Sequence, residues 1–348
     1  MLLERFDFGL DARTLQILFA LALGLVFGIA AQISRFCLRR AIAAKPLERG
    51  QAAAVWMTAL AAAIAGFQIA QIAGWIDLGG HRYLDSGLPY LAIVLGGLAF
   101  GAGMILTRGC ASRLTVLAGS GNLRAVSVLV IFAIAAHATL KGVLSPLRTG
   151  LGAVSVDLPF GTLAAVPFVP AAVVAATIVA AVVLVMRCRP RAVDVILGAV
   201  IGLVPVLGWA TTSVLLLDTF DPLDVQAVAF TLPWSDTLFW TLASTAVPAG
   251  FGTGLIGGVL LGSFVSAALR GELVLTGFEG PSQMARYAAG AVLMGIGGVL
   301  AGGCTIGAGL SGVSTLSVAA LLALASIIAG GHLATRLALR PVFSGVTA

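Results

Sequence analysis

Charge is the scarcest property of this sequence. Only 10% of its 348 residues are Asp, Glu, Lys or Arg, where a soluble domain carries about a quarter, and that deficit excludes a water-soluble globular fold. Histidine is nearly absent: His81, His137 and His332 are far apart in the chain, and no pair has metal-ligand spacing, so no metal site is expected. The four cysteines, Cys37, Cys110, Cys188 and Cys304, contain no CxxC, which excludes zinc-ribbon and c-type haem patterns. A Walker A motif is lacking, so the chain is not expected to hydrolyse ATP itself, and no cofactor is expected. The opening MLLERFDFGLDART has no basic stretch running straight into a short apolar core, so no cleaved signal peptide is expected.

What the chain does have is apolar length. It is 59% hydrophobic with a mean hydropathy of +1.09, and a bilayer core needs ~20 apolar residues per helical span. Nine candidates meet that need, at roughly 14–34, 51–75, 90–109, 123–144, 161–186, 192–217, 246–269, 284–303 and 316–337. Shorter apolar pieces follow Cys110 (LTVLAGSG) and Cys304 (TIGAGLSG), and another lies at 224–240. These are too short or too interrupted to cross and read as re-entrant or interfacial segments. The expected fold class is an all-α integral membrane protein of about nine transmembrane helices.

The net charge of +6 fits Lys and Arg flanking membrane spans and needs no nucleic acid. Placing the basic loops SRFCLRRAIAAKPLERG and RCRPR in the cytoplasm, and alternating through nine spans, puts 15 of the 20 basic residues inside with 4 of the 14 acidic ones. The N-terminus then lies outside and the C-terminus inside.

The glycines fall in register with the cysteines. Shifting Cys110 onto Cys304 brings Gly96, Gly101, Gly103 and Gly109 onto Gly290, Gly295, Gly297 and Gly303 without a gap. A second alignment sets Gly24 on Gly198 and Gly28 on Gly202, with Cys37 on Thr211. The loop after the first span is basic, whereas its counterpart at 218–236 has four Asp and no Lys or Arg, so the two loops face opposite sides. This predicts an inverted repeat: a first repeat at 1–150, a linking span at 151–191 and a second repeat at 192–348. Such repeats hold substrate near the midplane at broken helices, whose free N–H groups favour an anion.

SRFCLRRA, LTRGCASRLTVLAGSGN and LAGGCTIGAGLSG resemble the three cysteine motifs of the YeeE/YedE family of sulfur-compound transporters, over nearly the whole chain. The resemblance implies an hourglass-shaped fold in a bacterial inner membrane and uptake of thiosulfate, passed between cysteines by hydrogen bonds without covalent capture. It assigns the substrate path to Cys37, Cys110 and Cys304, and it implies a small cytoplasmic sulfur-carrier partner, for which the basic loops are a docking surface. Selenium or other sulfur compounds are associated with some members.

Each candidate has a bland reading beside the functional one. A lone cysteine in an apolar helix is usually a packing residue; Cys188, in the basic loop, stays with that reading. A thiol is a weak, polarizable donor, suited to a site that must also release its ion, and a thiolate would repel a dianion. Arg108 and Arg113 flank Cys110 as membrane anchors or as anion attractors at an inner mouth. Gly109, Gly303, Gly307 and Gly309 supply bends and backbone N–H groups, and Thr305 and Ser311 supply hydroxyls. GAGLSG fits GxGxxG but follows a membrane span rather than a strand, so a nucleotide site is rejected. His137 sits within a span, where an ionisable residue is a functional candidate by default. The rival function is a membrane sulfurtransferase or redox protein carrying sulfur as a persulfide. That chemistry calls for an activating base beside the thiol.

Overall fold

The computed structural model describes residues 11–215 and 224–338; the Asp218 and Asp221 of the acidic loop, and Arg340, lie outside the described residues. In chain order the helices are α1 (Ala12–Ser34), α2 (Leu38–Ala43), α3 (Pro46–Ile72), α4 (Tyr90–Leu106), α5 (Ala111–Gly119), α6 (Leu123–Lys141), α7 (Ser145–Gly152), α8 (Val169–Cys188), α9 (Ala192–Ala210), α10 (Thr231–Leu242), α11 (Phe251–Leu269), α12 (Pro281–Leu300) and α13 (Val318–Ala338). Two-residue strands, β1 (Gly87–Leu88) and β2 (Val156–Asp157), pair antiparallel.

Nine of these helices coincide with the nine expected spans. Eight segments are long and apolar enough to cross a membrane among the described residues. The other, α12, is of similar length but opens with Ser282, Gln283 and Arg286. The helix ends follow local chemistry. Asp11 caps α1 by accepting the Thr14 N–H at 3.3 Å, Asn122 caps α6 through the Ala125 N–H at 3.1 Å, and Pro46 and Pro281 open α3 and α12, where the missing N–H costs nothing. The linking span begins later than its hydropathy predicts. Residues 163–165 form a single tight turn, and Phe168 adopts φ 64° before Pro170 sets the first turn of α8. Likewise α9 gives way at Thr211 to a widened turn over 211–215, inside the expected span 192–217.

Helix pairing follows one rule. Exchange α1 with α9, α2 with α10, α3 with α11, α4 with α12, α5 with segment 307–312 and α6 with α13. The α1–α11 packing then maps onto α9–α3, α4–α13 onto α12–α6, and α2–α3 onto α10–α11, while α1–α9 and α4–α12 map onto themselves. At the α4–α12 crossing a Cβ on Gly96 would lie 2.8 Å from the Gly297 carbonyl, and one on Gly103 would lie 2.5 Å from that of Gly290. The same glycines that align in sequence therefore make reciprocal contacts, as small residues do where membrane helices cross closely. By contrast α8 packs chiefly on α3 and is exposed almost all round, with Ala181 its buried residue, as befits an apolar helix whose solvent is lipid.

Candidate functional site

Two helix breaks meet in the protein's interior. After α4, Arg108 takes φ 59° and the chain turns at Gly109, so that Cys110 becomes the residue preceding α5. After α12, Gly302 takes φ 73° and the chain turns at Gly303 into Cys304. Arg108 and Gly302 correspond under the alignment that superposes the two cysteines, so one backbone device is built twice. Left-handed backbone suits glycine at low cost and strains other residues; Arg108 accepts that strain with an exposed side chain. A third break, at Arg35 with φ 51°, ends α1 and leaves Cys37 as the residue preceding α2.

The breaks gather their thiols. Cys37, Cys110 and Cys304 are all buried and free of disulfides, whereas Cys188 is half-buried and lies against Gly50 of α3. The Cys37 and Cys110 side chains are close neighbours, without a hydrogen bond of ordinary geometry between them. The Cys110 sulfur also lies 3.3 Å from the Ser112 hydroxyl. The Thr305 hydroxyl approaches the same sulfur without closing a bond of ordinary geometry, and it has no other partner although it is buried. Cys304 is held differently: its sulfur accepts the Gly307 N–H at 3.4 Å and is reached by the backbone N–H of Phe230. The helix exchange sets Phe230, which precedes α10, where Cys37 precedes α2. Phe230 is fully buried, with its ring centroid 5.3 Å from that of Phe27.

The backbone after Cys304 is a wide turn over Gly307–Gly312, in which the Ile306 carbonyl accepts from both Leu310 and Ser311 at 2.9 Å. Such widened turns recur at functional sites. Tyr83 donates its hydroxyl to the Gly307 carbonyl at 3.0 Å, and Trp209 donates its indole N–H to the Ser311 carbonyl at 3.2 Å. Gly309 faces Leu324 and Trp56, away from the thiols. His81, Tyr83 and Trp209 form an aromatic group with ring centroids 5.0 to 6.2 Å apart. Burial, with Arg82's charge adding to it, pushes the His81 pKa down to about 4. Its Nδ1 accepts the Tyr83 N–H at 3.3 Å. Burial pushes the Tyr83 phenol up, which keeps it a donor.

Cavities approach this core from both ends of α9. One of about 440 Å³ is lined by His81, Tyr83, Trp209, Gln226, Gly307 and Ser311. The other, about 30 Å³, reaches Cys37 between Ser34, Arg35, Arg40, Gln51 and Asp194. Asp194 and Trp209 are ~22 Å apart along the helix at ~1.5 Å per residue. The second mouth is basic. Arg113 donates to the Ala31 carbonyl at 3.2 Å and shares its surroundings with Arg35 and Arg40, while Asp194 is engaged by Arg191 at 2.8 Å. Of the two arginines flanking Cys110, Arg113 thus turns toward the protein and Arg108 away. His137 is remote from the thiols; its Nδ1 lies 2.9 Å from the Ser235 hydroxyl and its ring stacks on Phe239 at 3.4 Å.

Sequence reasoning did not find Tyr83, Trp209 or Ser112. Tyr83 and Trp209 act on the 307–312 turn from other parts of the chain, and no local pattern marks them. Ser112, two residues after Cys110, was within reach of the motif itself.

Comparison with known proteins places these residues in a context. A family model described as sulphur transport matches residues 33–333. The thiosulfate transporter TsuA of Spirochaeta thermophila is 28% identical over 327 residues, covering 89% of this chain and 95% of that protein. The thiosulfate transporter TsuA of Escherichia coli is 26% identical over 325 residues, covering 85% and 87% respectively.

Proposed function

The chain belongs to the sulphur transport family, and from that premise we propose that it carries thiosulfate, or a sulfur anion of the same build, into the cell along a path lined by Cys304, Cys110 and Cys37. The observation that carries this reading is the run of sulfur and hydroxyl groups. Cys304 is joined through Thr305 to the Cys110 thiol, which contacts the Cys37 thiol, and cavities lie at the far ends of the run. The similarity to two thiosulfate transporters points to the same substrate.

The chemistry follows from the partners. Thiosulfate presents oxygens at one end and a polarizable sulfur at the other. Backbone N–H groups and hydroxyls around Cys304 and Thr305 suit the oxygens; thiols, being weak donors, suit the terminal sulfur. Contacts of this strength hold an ion without trapping it, as conduction requires. Sulfate lacks the sulfur terminus and gains less from the thiols. Arg35, Arg40 and Arg113 draw the dianion toward the basic mouth, from which a small sulfur-carrier protein takes it. That mouth is assigned to the cytoplasm by its Lys and Arg, which puts the N-terminus outside. In this reading 1–150 and 192–348 are inverted repeats about the linking span 151–191, supported by the helix exchange and the reciprocal glycine contacts. No His, Asp or Glu among the described residues hydrogen-bonds to Cys37, Cys110 or Cys304, which favours carriage over covalent sulfur transfer.

The test is uptake of labelled thiosulfate by proteoliposomes of the purified protein, with sulfate as competitor, for the wild type and for Cys37→Ala, Cys110→Ala and Cys304→Ala. Uptake by the wild type that sulfate barely inhibits, and that each substitution lowers, is expected. Equal uptake by all four proteins would overturn the thiol path, and equal competition by sulfate would overturn the sulfur contact.

A further inference from the structure

Two arginines outside the basic loops converge on one cavity. Arg82, from the segment between α3 and α4, and Arg148, from α7, line a space of about 260 Å³ whose floor includes Ala92, Ile93 and Leu300. Neither is in a salt bridge among the described residues. Arg82 spends one N–H on the Gly302 carbonyl at 3.0 Å. The Arg148 Nε is shut off from solvent and has no partner at all, a costly state for a charged donor. The one acidic residue of the lining is Asp85, whose carboxylate accepts the Gly87 N–H at 3.2 Å. The cavity therefore keeps an excess of positive charge over an apolar floor.

Such a lining selects an anion with an apolar body. The volume approaches the ~300 Å³ of the smaller organic-ligand pockets, more than a bare inorganic oxyanion fills. Its position narrows the class further. It opens where α4 and α13 begin and α12 ends, at the depth of a membrane surface. The stretch between α6 and α8, which carries Arg148, exposes Val143 (87%), Leu147 and Phe168 (89%), apolar side chains beyond the ends of those two helices, as in backbone lying within the headgroup layer. Arg148 follows Leu147 on the short helix α7, within this same stretch between membrane helices. Guanidinium forks hold phosphate oxygens in pairs.

We propose that this cavity binds an anionic phospholipid of the adjoining leaflet, with Arg82 and Arg148 on the headgroup phosphate and Ala92, Ile93 and Leu300 against the glycerol and first acyl carbons. The lipid steadies the outer segment. Arg82 stacks over Tyr83 at 5.2 Å and holds Gly302, so an occupied cavity fixes both residues that brace the Cys304 break.

The experiment uses the delipidated full chain in detergent, with native mass spectrometry and thermal melting. The additions are phosphatidylglycerol, phosphatidylcholine, inorganic phosphate or thiosulfate. One retained phosphatidylglycerol, and a melting point raised by it alone, are expected. Arg148→Gln and Arg82→Gln should each weaken retention by roughly ten-fold or more, the worth of a charge-assisted hydrogen bond. Arg148→Lys should recover part of it, and Arg187→Gln, at the end of α8, should change nothing. Folding of each variant is checked by its elution profile. Retention unchanged in both glutamine variants, or equal retention of phosphatidylcholine, overturns the proposal. Protection by inorganic phosphate or thiosulfate equal to that by lipid also overturns it and assigns the cavity to a free oxyanion.

Discussion

Cys110 stands between two groups that reach it from opposite halves of the chain: the thiol of Cys37 and the hydroxyl of Thr305. Thr305 has no other partner despite its burial, so in the proposed path the central sulfur is the point where groups from the two halves meet. Loss of Cys110 should therefore cost more than loss of either neighbour. Cys110→Ala is expected to lower thiosulfate uptake ~10- to 100-fold, from the ~1–3 kcal/mol that a buried polar group loses without its partner. Cys37→Ala should cost less, and the double variant should fall short of the product of the two, because contacting residues are not additive. Initial uptake rates in proteoliposomes check this; a fully multiplicative double variant would mean that the two thiols act independently.

Tyr83→Phe removes the donor to the Gly307 carbonyl while keeping the ring. The expected loss is ~0.5–1.5 kcal/mol of stability, with a several-fold higher KM for uptake because the turn that presents the Cys304 sulfur loosens. A thermal melt and an uptake titration separate the two effects. An unchanged KM would make Tyr83 a packing residue only.

Gly258 and Gly257 are chain neighbours with opposite surroundings. A Cβ at Gly258 would press on the Leu21 carbonyl and the Leu25 backbone nitrogen, whereas one at Gly257 would meet nothing within 4 Å. Gly258→Ala is expected to lower stability by ~1–3 kcal/mol through overpacking. Gly257→Ala should be neutral or slightly stabilising, since alanine is the better helix former. Equal melting points for the two variants would contradict the α1–α11 packing described above.

His81 supplies a pH test. Its ordinary pKa of 6.5 is depressed to about 4 by burial, so the unfolded chain takes up a proton that the folded chain refuses. The stability tied to neutral His81 is complete above pH 6.5 and is lost as pH falls toward about 4. Replacing His81 with Gln should flatten the fall in melting temperature over that interval. The same slope in both proteins would assign the acid lability elsewhere.

Thiol accessibility gives a further check. A maleimide probe should label Cys188, which is half-buried, well before the three buried thiols, and Cys188→Ser should abolish the fast phase without reducing uptake. Fast labelling that survives Cys188→Ser would place another thiol at the surface.

The long helices were legible because hydropathy over ~20 residues reports the solvent around a helix, and the structure returns a helix at each of the nine stretches. The breaks at Cys110 and Cys304 were legible because glycine clusters there interrupt otherwise continuous apolar runs. What lay beyond reach was which distant residues meet. Arg108 and Arg113 are equivalent by composition, yet only Arg113 turns inward, because the left-handed turn at Arg108 throws that side chain outward. The contact of Cys37 with Cys110, and the grip of Tyr83 and Trp209 on the wide turn, depend on how separate helices dock. The linking span misled in its start, since hydropathy does not register the turn that Phe168 and Pro170 impose.

Phe230 occupies the corner where a fourth sulfur would complete the set. A corridor with matching rungs at each end would grip its passenger equally on entering and on leaving. Here one end offers paired sulfurs and the other a phenyl ring with amide hydrogens, so along the proposed path residence times would differ from side to side. If the proposed path carries the ion, saturation would set in at different solute levels on the two faces of the membrane. That imbalance would be visible as unequal half-saturation in right-side-out and inverted vesicles.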